Sequence, residues 1–153
     1  MLVEKRLQEL GLTLPKQGPS AGNYVRALRA GNYVYLSGHL PNYPGGKVYK
    51  GKVGRDIPVE EGYQGARQAA LCMLSSLKDE IGNLDKVVRV VKVIGFVSCA
   101  EDFLDQAKVV NGASDLFLEV FGERGRHTRS AVGVFQLPTG APVEVEAIVE
   151  VGD

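Results

Sequence analysis

The sequence predicts an α+β fold: a mixed β-sheet with two long helices packed on one face and an extra short N-terminal helix. Three observations carry this. Apolar residues recur at spacings of three and four in two long segments, 58–81 and 101–121. β-branched residues crowd segments 86–99 and 143–151. Turns rich in Gly and Pro divide the chain into the order β-β-α-β-α-β-β, which suits one mixed sheet with its helices on one side.

The elements follow in order. Val3, Leu7 and Leu10 line one side of residues 3–10, and Gly11 with Pro15 beyond it closes that helix. Residues 12–22 hold Pro15, Gly18, Pro19 and Gly22 and read as loop. Segments 24–29 and 33–38 flank Ala30-Gly31-Asn32, whose flexible residues suit a hairpin turn. Residues 39–55 form the longest irregular stretch, and loops of this length are often functional or mobile. Asp56 is placed to cap a helix starting near Pro58. Ala66, Ala69, Ala70, Met73, Leu74, Leu77 and Ile81 give that helix a buried face, which Gly82-Asn83 ends.

Segment 86–99 has polar residues at every third position, yet Val87, Val88, Val90, Val91, Val93, Ile94 and Val97 decide for strand, with Gly95 marking a bulge. The second long helix, 101–121, shows Phe103, Leu104, Ala107, Val110, Ser114, Phe117, Leu118 and Phe121 on its apolar side. A strand at 129–137, a turn at 138–142 and a final strand at 143–151 complete the chain. The 86–99 strand is apolar on both faces, and the 130–135 stretch has no strongly polar face. Such strands need cover on both sides, and two helices cover one. The other face is expected to meet copies of the same chain, with burial inside a monomer as the competing reading.

A chain of 153 residues fits a single domain, read as a core at 20–151 behind an N-terminal extension and loop at 1–19. The 18 basic and 18 acidic residues cancel, which argues against a nucleic-acid partner. Cys72, Cys99, His39 and His127 show no ligand spacing, and no paired acids stand at metal spacing, so neither metal nor cofactor is expected. The N-terminus lacks a basic-then-apolar leader and no run approaches the ~20 apolar residues of a membrane span. A cytoplasmic location with no membrane partner follows, and the cysteines read as small buried hydrophobes.

Chemistry concentrates in the last third. Arg129 opens a strand otherwise made of Ser130, Ala131, Val132, Gly133 and Val134. A guanidinium there must be paired or face a ligand, and its planar fork suits a small carboxylate. Alternation puts Glu144, Glu146 and Glu150 on one face of the final strand, where one of them would hold and activate water. The same residues also permit a plain ion pair between Arg129 and a strand glutamate. Arg124, Arg126 and His127 either raise the local positive potential or belong to a solvated loop. His39 and His127 titrate near neutrality, with acid–base and structural roles both open. Tyr24 either faces a ligand or is a half-buried strand residue. Neither a phosphate-binding GxxxxGK[ST] loop nor a GxSxG elbow occurs.

Asn23-Tyr24-Val25, Gly31-Asn32 and Leu36-Ser37-Gly38-His39-Leu40-Pro41 resemble the opening motif of the reactive intermediate deaminase (RidA/YjgF) family. Arg129-Ser130-Ala131-Val132, Leu137-Pro138 and Val143-Glu144-Val145-Glu146-Ala147 resemble its closing motif, and the likeness spans residues 20–151. The resemblance implies a chorismate-mutase-like fold and a homotrimer with pockets at its subunit interfaces. It also implies cofactor-free hydrolysis of reactive enamines and imines, such as 2-aminoacrylate, to 2-oxo acids and ammonia. By motif position Arg129 would clamp the substrate carboxylate and Glu144 would position the attacking water. Tyr24 and Ser37 would line the pocket, Asn111 would join from the second helix, and the Gly38 backbone would lie beside the ligand. Ala131 stands where a pocket cysteine is common, His39 replaces the usual glutamine, the 39–55 loop is longer and residues 1–17 are added. The family is functionally mixed. A non-catalytic trimer that binds small carboxylates is the alternative, and an endoribonuclease or translation inhibitor is the third reading.

Overall fold

The structure, a computed structural model, describes residues 1–46 and 49–153. It contains helices α1 (Leu2–Glu9), α2 (Val59–Ile81) and α3 (Gln106–Phe121). The strands are β1 (Ala27–Ala30), β2 (Tyr33–His39), β3 (Val87–Ser98), β4 (Thr128–Val134) and β5 (Val143–Val151). They form one sheet in the order β1-β2-β5-β3-β4. Within this sheet β3 and β4 pair in parallel and the other neighbouring strands pair antiparallel. Both β2 and β3 run antiparallel to β5, so they are parallel to each other and need the crossover that α2 provides. The parallel β3–β4 pair likewise requires α3. The fold is therefore α+β, with a mixed sheet and its long helices on one face.

Alternation along β5 sets the two sides. Val143, Val145, Ala147, Val149 and Val151 are buried toward the helices, and Glu144, Glu146, Ile148 and Glu150 take the opposite face. The expected face of α2 is buried throughout, from Ala66 to Ile81, and Gly82 ends the helix at φ 79°. α2 and α3 cross at Gly112, where an added Cβ would stand 2.0 Å from the Tyr63 carbonyl oxygen. Gly95 makes no bulge: it pairs in register with Ala131 and Val145. Its lack of a side chain instead admits α3, since a Cβ there would meet Val110 at 2.4 Å.

Three boundaries and one cap differ from expectation. β4 ends at Val134 rather than at residue 137. β1 begins at Ala27, so Tyr24 precedes the strand. α3 begins at Gln106 because the preceding chain is held elsewhere: Val53 N–H donates to the Ser98 carbonyl and Ala100 N–H to that of Val53, both at 2.9 Å. Its buried stripe is accordingly Val109, Val110, Ala113, Leu116, Phe117 and Val120, while Leu104 is 87% exposed. Asp56 does not cap α2, which has no side-chain cap. Its carboxylate accepts from Lys52 N–H at 2.8 Å and pairs with Arg55 at 3.0 Å, closing the turn before the helix.

The N-terminal helix is tied down at both ends. The Asp85 carboxylate accepts from Leu2 and Val3 N–H, each at 2.8 Å, supplying the cap that Met1 lacks. Arg6 Nε donates to the Glu119 carbonyl at 2.8 Å, and Glu4 pairs with Lys78.

The face away from the helices is open and largely apolar. Leu28, Tyr35, Ile94 and Ile148, with Tyr24 and Lys92, line a hollow of about 500 Å³ on it. Tyr24, Leu28 and Tyr35 are each about half exposed.

Candidate functional site

The expected site residues fall into two groups. Arg129 and Ala131 share the helix side of β4, an edge strand, with Gly133, whose Cβ would meet Cys99 Sγ at 3.0 Å. Arg129 Nη1 donates to Asn111 Oδ1 at 2.7 Å and to Ser114 Oγ at 3.1 Å, and Nη2 donates to the Ala107 carbonyl at 3.4 Å. All three acceptors come from one face of α3. Among the described residues no carboxylate forms an ion pair with Arg129. The strand glutamates that would have paired with it point to the other face of the sheet. Nε–H and one Nη2–H find no acceptor among the described residues, which leaves one edge of the fork for a ligand. A hollow of about 220 Å³ adjoins it, shared with Ser114, Leu118, Arg126 and His127.

The second group is built around a bulge. Leu36 pairs with Ala147 but His39 with Val145, so β2 carries one residue more than β5 over Ser37-Gly38. The extra residue turns Gly38 to the open face and His39 into the core. Gly38 lies directly under Glu144: a Cβ there would stand 2.8 Å from the Glu144 carboxyl carbon and 2.9 Å from Oε1. Only glycine lets this carboxylate lie over the backbone. Ser37 Oγ donates to the Val25 carbonyl at 2.7 Å, and Ser20 Oγ to that of Tyr24 at 2.6 Å, which fixes the segment carrying Tyr24. Tyr24 and Ser37 both line the large hollow.

Burial, and secondarily the charge of Glu146, push the Glu144 carboxyl above the ordinary glutamate value. A raised folded-state value means that the charged form is penalised in the native chain, a penalty present above that value and relieved as pH falls. Glu144→Gln is therefore expected to raise the melting temperature slightly at pH 7. The difference shrinks as pH is lowered through the ordinary glutamate range, and thermal scans across pH check both statements.

His39 is not a site acid or base. It is 1% exposed, with Nδ1 at 2.6 Å from the Ser37 carbonyl and Nε2 at 2.8 Å from Ser76 Oγ. A carbonyl only accepts, so Nδ1 carries the proton and Nε2 accepts from the serine. Burial holds the ring below its ordinary pKa, keeping it neutral. His39 thus ties the bulge to α2.

Within one chain the two groups do not meet. Arg129, Asn111 and Ala131 sit on the helix side of the outer strand, whereas Tyr24, Ser37, Gly38 and Glu144 belong to the open face between β2 and β3. Sequence reasoning missed Ser114 as a partner of Arg129. Positions 107, 111 and 114 share a helix face at spacings of four and three, and that signal was present in the chain. Among the described residues no three His, Cys, Asp or Glu side chains gather as metal ligands, and no helix is long and apolar enough to cross a membrane.

The family model described as "YjgF/chorismate mutase-like, putative endoribonuclease" matches residues 4–146. The chain belongs to this YjgF/RidA family. It is 46% identical over 152 residues to Protein TCP17 of Trypanosoma cruzi, covering 99% of this chain and 95% of that one. The crystal structure of protein Atu1372 from Agrobacterium tumefaciens superposes with a TM-score of 0.90 at 43% identity, covering 99% and 94% of the two chains. RidA from the Antarctic bacterium Psychrobacter sp. PAMC 21119 superposes with a TM-score of 0.60 at 26% identity, covering 87% and 92%.

Proposed function

We propose that this protein hydrolyses small reactive enamines and imines of the 2-aminoacrylate type to 2-oxo acids and ammonia. The pockets would be assembled between copies of the chain in a homotrimer. The observation that carries the reading is Arg129: a braced guanidinium with no carboxylate partner among the described residues and one donor edge left over. That edge takes the substrate carboxylate. Glu144, desolvated above Gly38, supplies the base. Because these groups occupy different faces of one chain, a second copy has to bring its Glu144, Gly38, Ser37 and Tyr24 to the Arg129, Asn111 and Ala131 of the first. The open apolar face, with its half-exposed Tyr35 and Leu28, supports such docking.

The chemistry balances without an added reactant other than water. The enamine tautomerises to the imine. Water adds to the imine carbon while Glu144 accepts one of its protons and passes it to the imine nitrogen, giving a carbinolamine. Glu144 then takes the carbinolamine hydroxyl proton and delivers it to nitrogen as the C–N bond breaks, so that ammonia leaves and a carbonyl remains. An acid of raised pKa is suited to this double role. The substrate is already reactive, so orientation and one polarised water suffice, and the reaction as written uses no cofactor. The two free thiols, Cys72 buried and Cys99 half-buried, support a reducing, cytoplasmic setting. The balanced charge supports a small-molecule ligand over nucleic acid.

The test is release of ammonia and 2-oxo acid from freshly generated 2-aminoacrylate. Wild-type protein is expected to exceed the spontaneous rate. An unchanged rate rejects the hydrolase, and saturable binding of a 2-oxo acid without turnover assigns the pocket to the non-catalytic alternative.

A further inference from the structure

We propose that His127 and Ser114 form a fixed-polarity relay that aims Arg129 at its ligand, making both of them positioning residues. The inference rests on the reading that Arg129 holds a carboxylate.

His127 Nδ1 lies 2.6 Å from the Gly125 carbonyl oxygen, and Nε2 lies 2.8 Å from Ser114 Oγ. The carbonyl can only accept, so the imidazole proton sits on Nδ1 and Nε2 presents a lone pair. Ser114 must then donate its hydroxyl proton to Nε2. The lone pairs of Ser114 Oγ are thereby turned to Arg129 Nη1, 3.1 Å away. A serine inside a helix has a ready alternative, donation to the carbonyl one turn back, which would aim its lone pairs elsewhere. His127 removes that freedom.

The ring itself is pinned. Phe117 meets it edge-on at 5.9 Å between centroids. Gly125 packs so closely on α3 that a Cβ there would fall 2.2 Å from the Phe117 carbonyl oxygen, which fixes the acceptor for Nδ1. The charged groups around the ring are Arg129 from β4 and Arg126, which shares the same hollow. Burial, helped by the charge of Arg129 and opposed by the Gly125 hydrogen bond, holds the imidazole below its ordinary pKa, consistent with a neutral ring. With Asn111 Oδ1 as second acceptor, both protons of Nη1 are committed to α3, and the guanidinium plane is set before any ligand arrives.

The test compares wild type with His127→Phe, His127→Gln, Ser114→Ala and Arg129→Ala. Calorimetric titration with 2-oxobutyrate reads binding, and nitrogen-15 NMR of the Arg129 side chain reads rotation of the guanidinium. Phenylalanine keeps the packing on Phe117 but offers no acceptor. Glutamine restores a donor for Gly125 and an acceptor for Ser114. His127→Phe and Ser114→Ala are expected to weaken binding about tenfold and to free the Arg129 Nη rotation, with His127→Gln within about twofold of wild type on both readouts. Wild-type-like behaviour of His127→Phe, or equal losses in His127→Phe and His127→Gln, overturns the relay. A wild-type protein that does not bind 2-oxobutyrate rejects the proposed function instead, and the Arg129 resonances of the variants still decide the relay.

Discussion

Arg129→Ala is expected to lower kcat/KM for 2-aminoacrylate hydrolysis by about a thousandfold, with the melting temperature within about 2 °C of wild type. The activity loss follows from geometry. The carboxylate is the one fixed charge of so small a substrate, and a charge-assisted fork supplies its orientation as well as its attraction. Stability is spared because Arg129 makes no ion pair among the described residues, and its hydrogen bonds to Asn111 and the Ala107 carbonyl are exposed while that to Ser114 is only part-buried. Arg129→Lys keeps the charge but replaces the planar fork with a point donor that cannot hold Asn111, Ser114 and a carboxylate together, so it recovers little. Steady-state kinetics beside thermal scans separate the two effects.

Gly112→Ala carries the largest expected cost in stability, a fall of about 10 °C in melting temperature or failure to accumulate as soluble protein. The added methyl would stand 2.0 Å from the Tyr63 carbonyl oxygen, 2.9 Å from its carbon and 3.0 Å from Arg67 N. These are backbone atoms of α2, so no rotamer change relieves the contact. The helices would have to separate where Tyr63 donates to Asp115 at 2.5 Å and Arg67 pairs with Glu119 at 2.7 Å. Overpacking against rigid backbone costs about 3 kcal/mol or more. Gly18→Ala, with nothing within 4 Å of the added methyl, serves as the neutral control.

The parts of the fold legible in the chain are those that local chemistry decides. β3 and β5 are written in β-branched residues, and α2 in the Ala66–Ile81 stripe. Arg129 was legible as a candidate for the same reason: a guanidinium in an apolar strand demands an explanation. The rest depends on distant partners. The start of α3 is set by hydrogen bonds that Val53 makes to Ser98 and Ala100 across the fold. The bulge at Ser37-Gly38 is shaped by Glu144 above it and Ser76 beneath, neither of them near in sequence. That Arg129 and Glu144 take opposite faces needs the strand order, since alternation gives each strand two faces but not which one meets the helices. His127 and Ser114 carry no motif. Their pairing appears only once β4 lies along α3.

The separation of Arg129 and Glu144 onto two faces of one chain makes subunit mixing the most direct test of the proposed site. Arg129→Ala and Glu144→Gln are each expected to be inactive alone. After co-refolding, with mixed oligomers verified by native mass spectrometry, pockets that draw Arg129 from one variant and Glu144 from the other are intact. For random assembly these are about one quarter of all pockets, so about one quarter of wild-type activity is expected to return. Mixed oligomers no more active than either variant alone would contradict a site shared between copies.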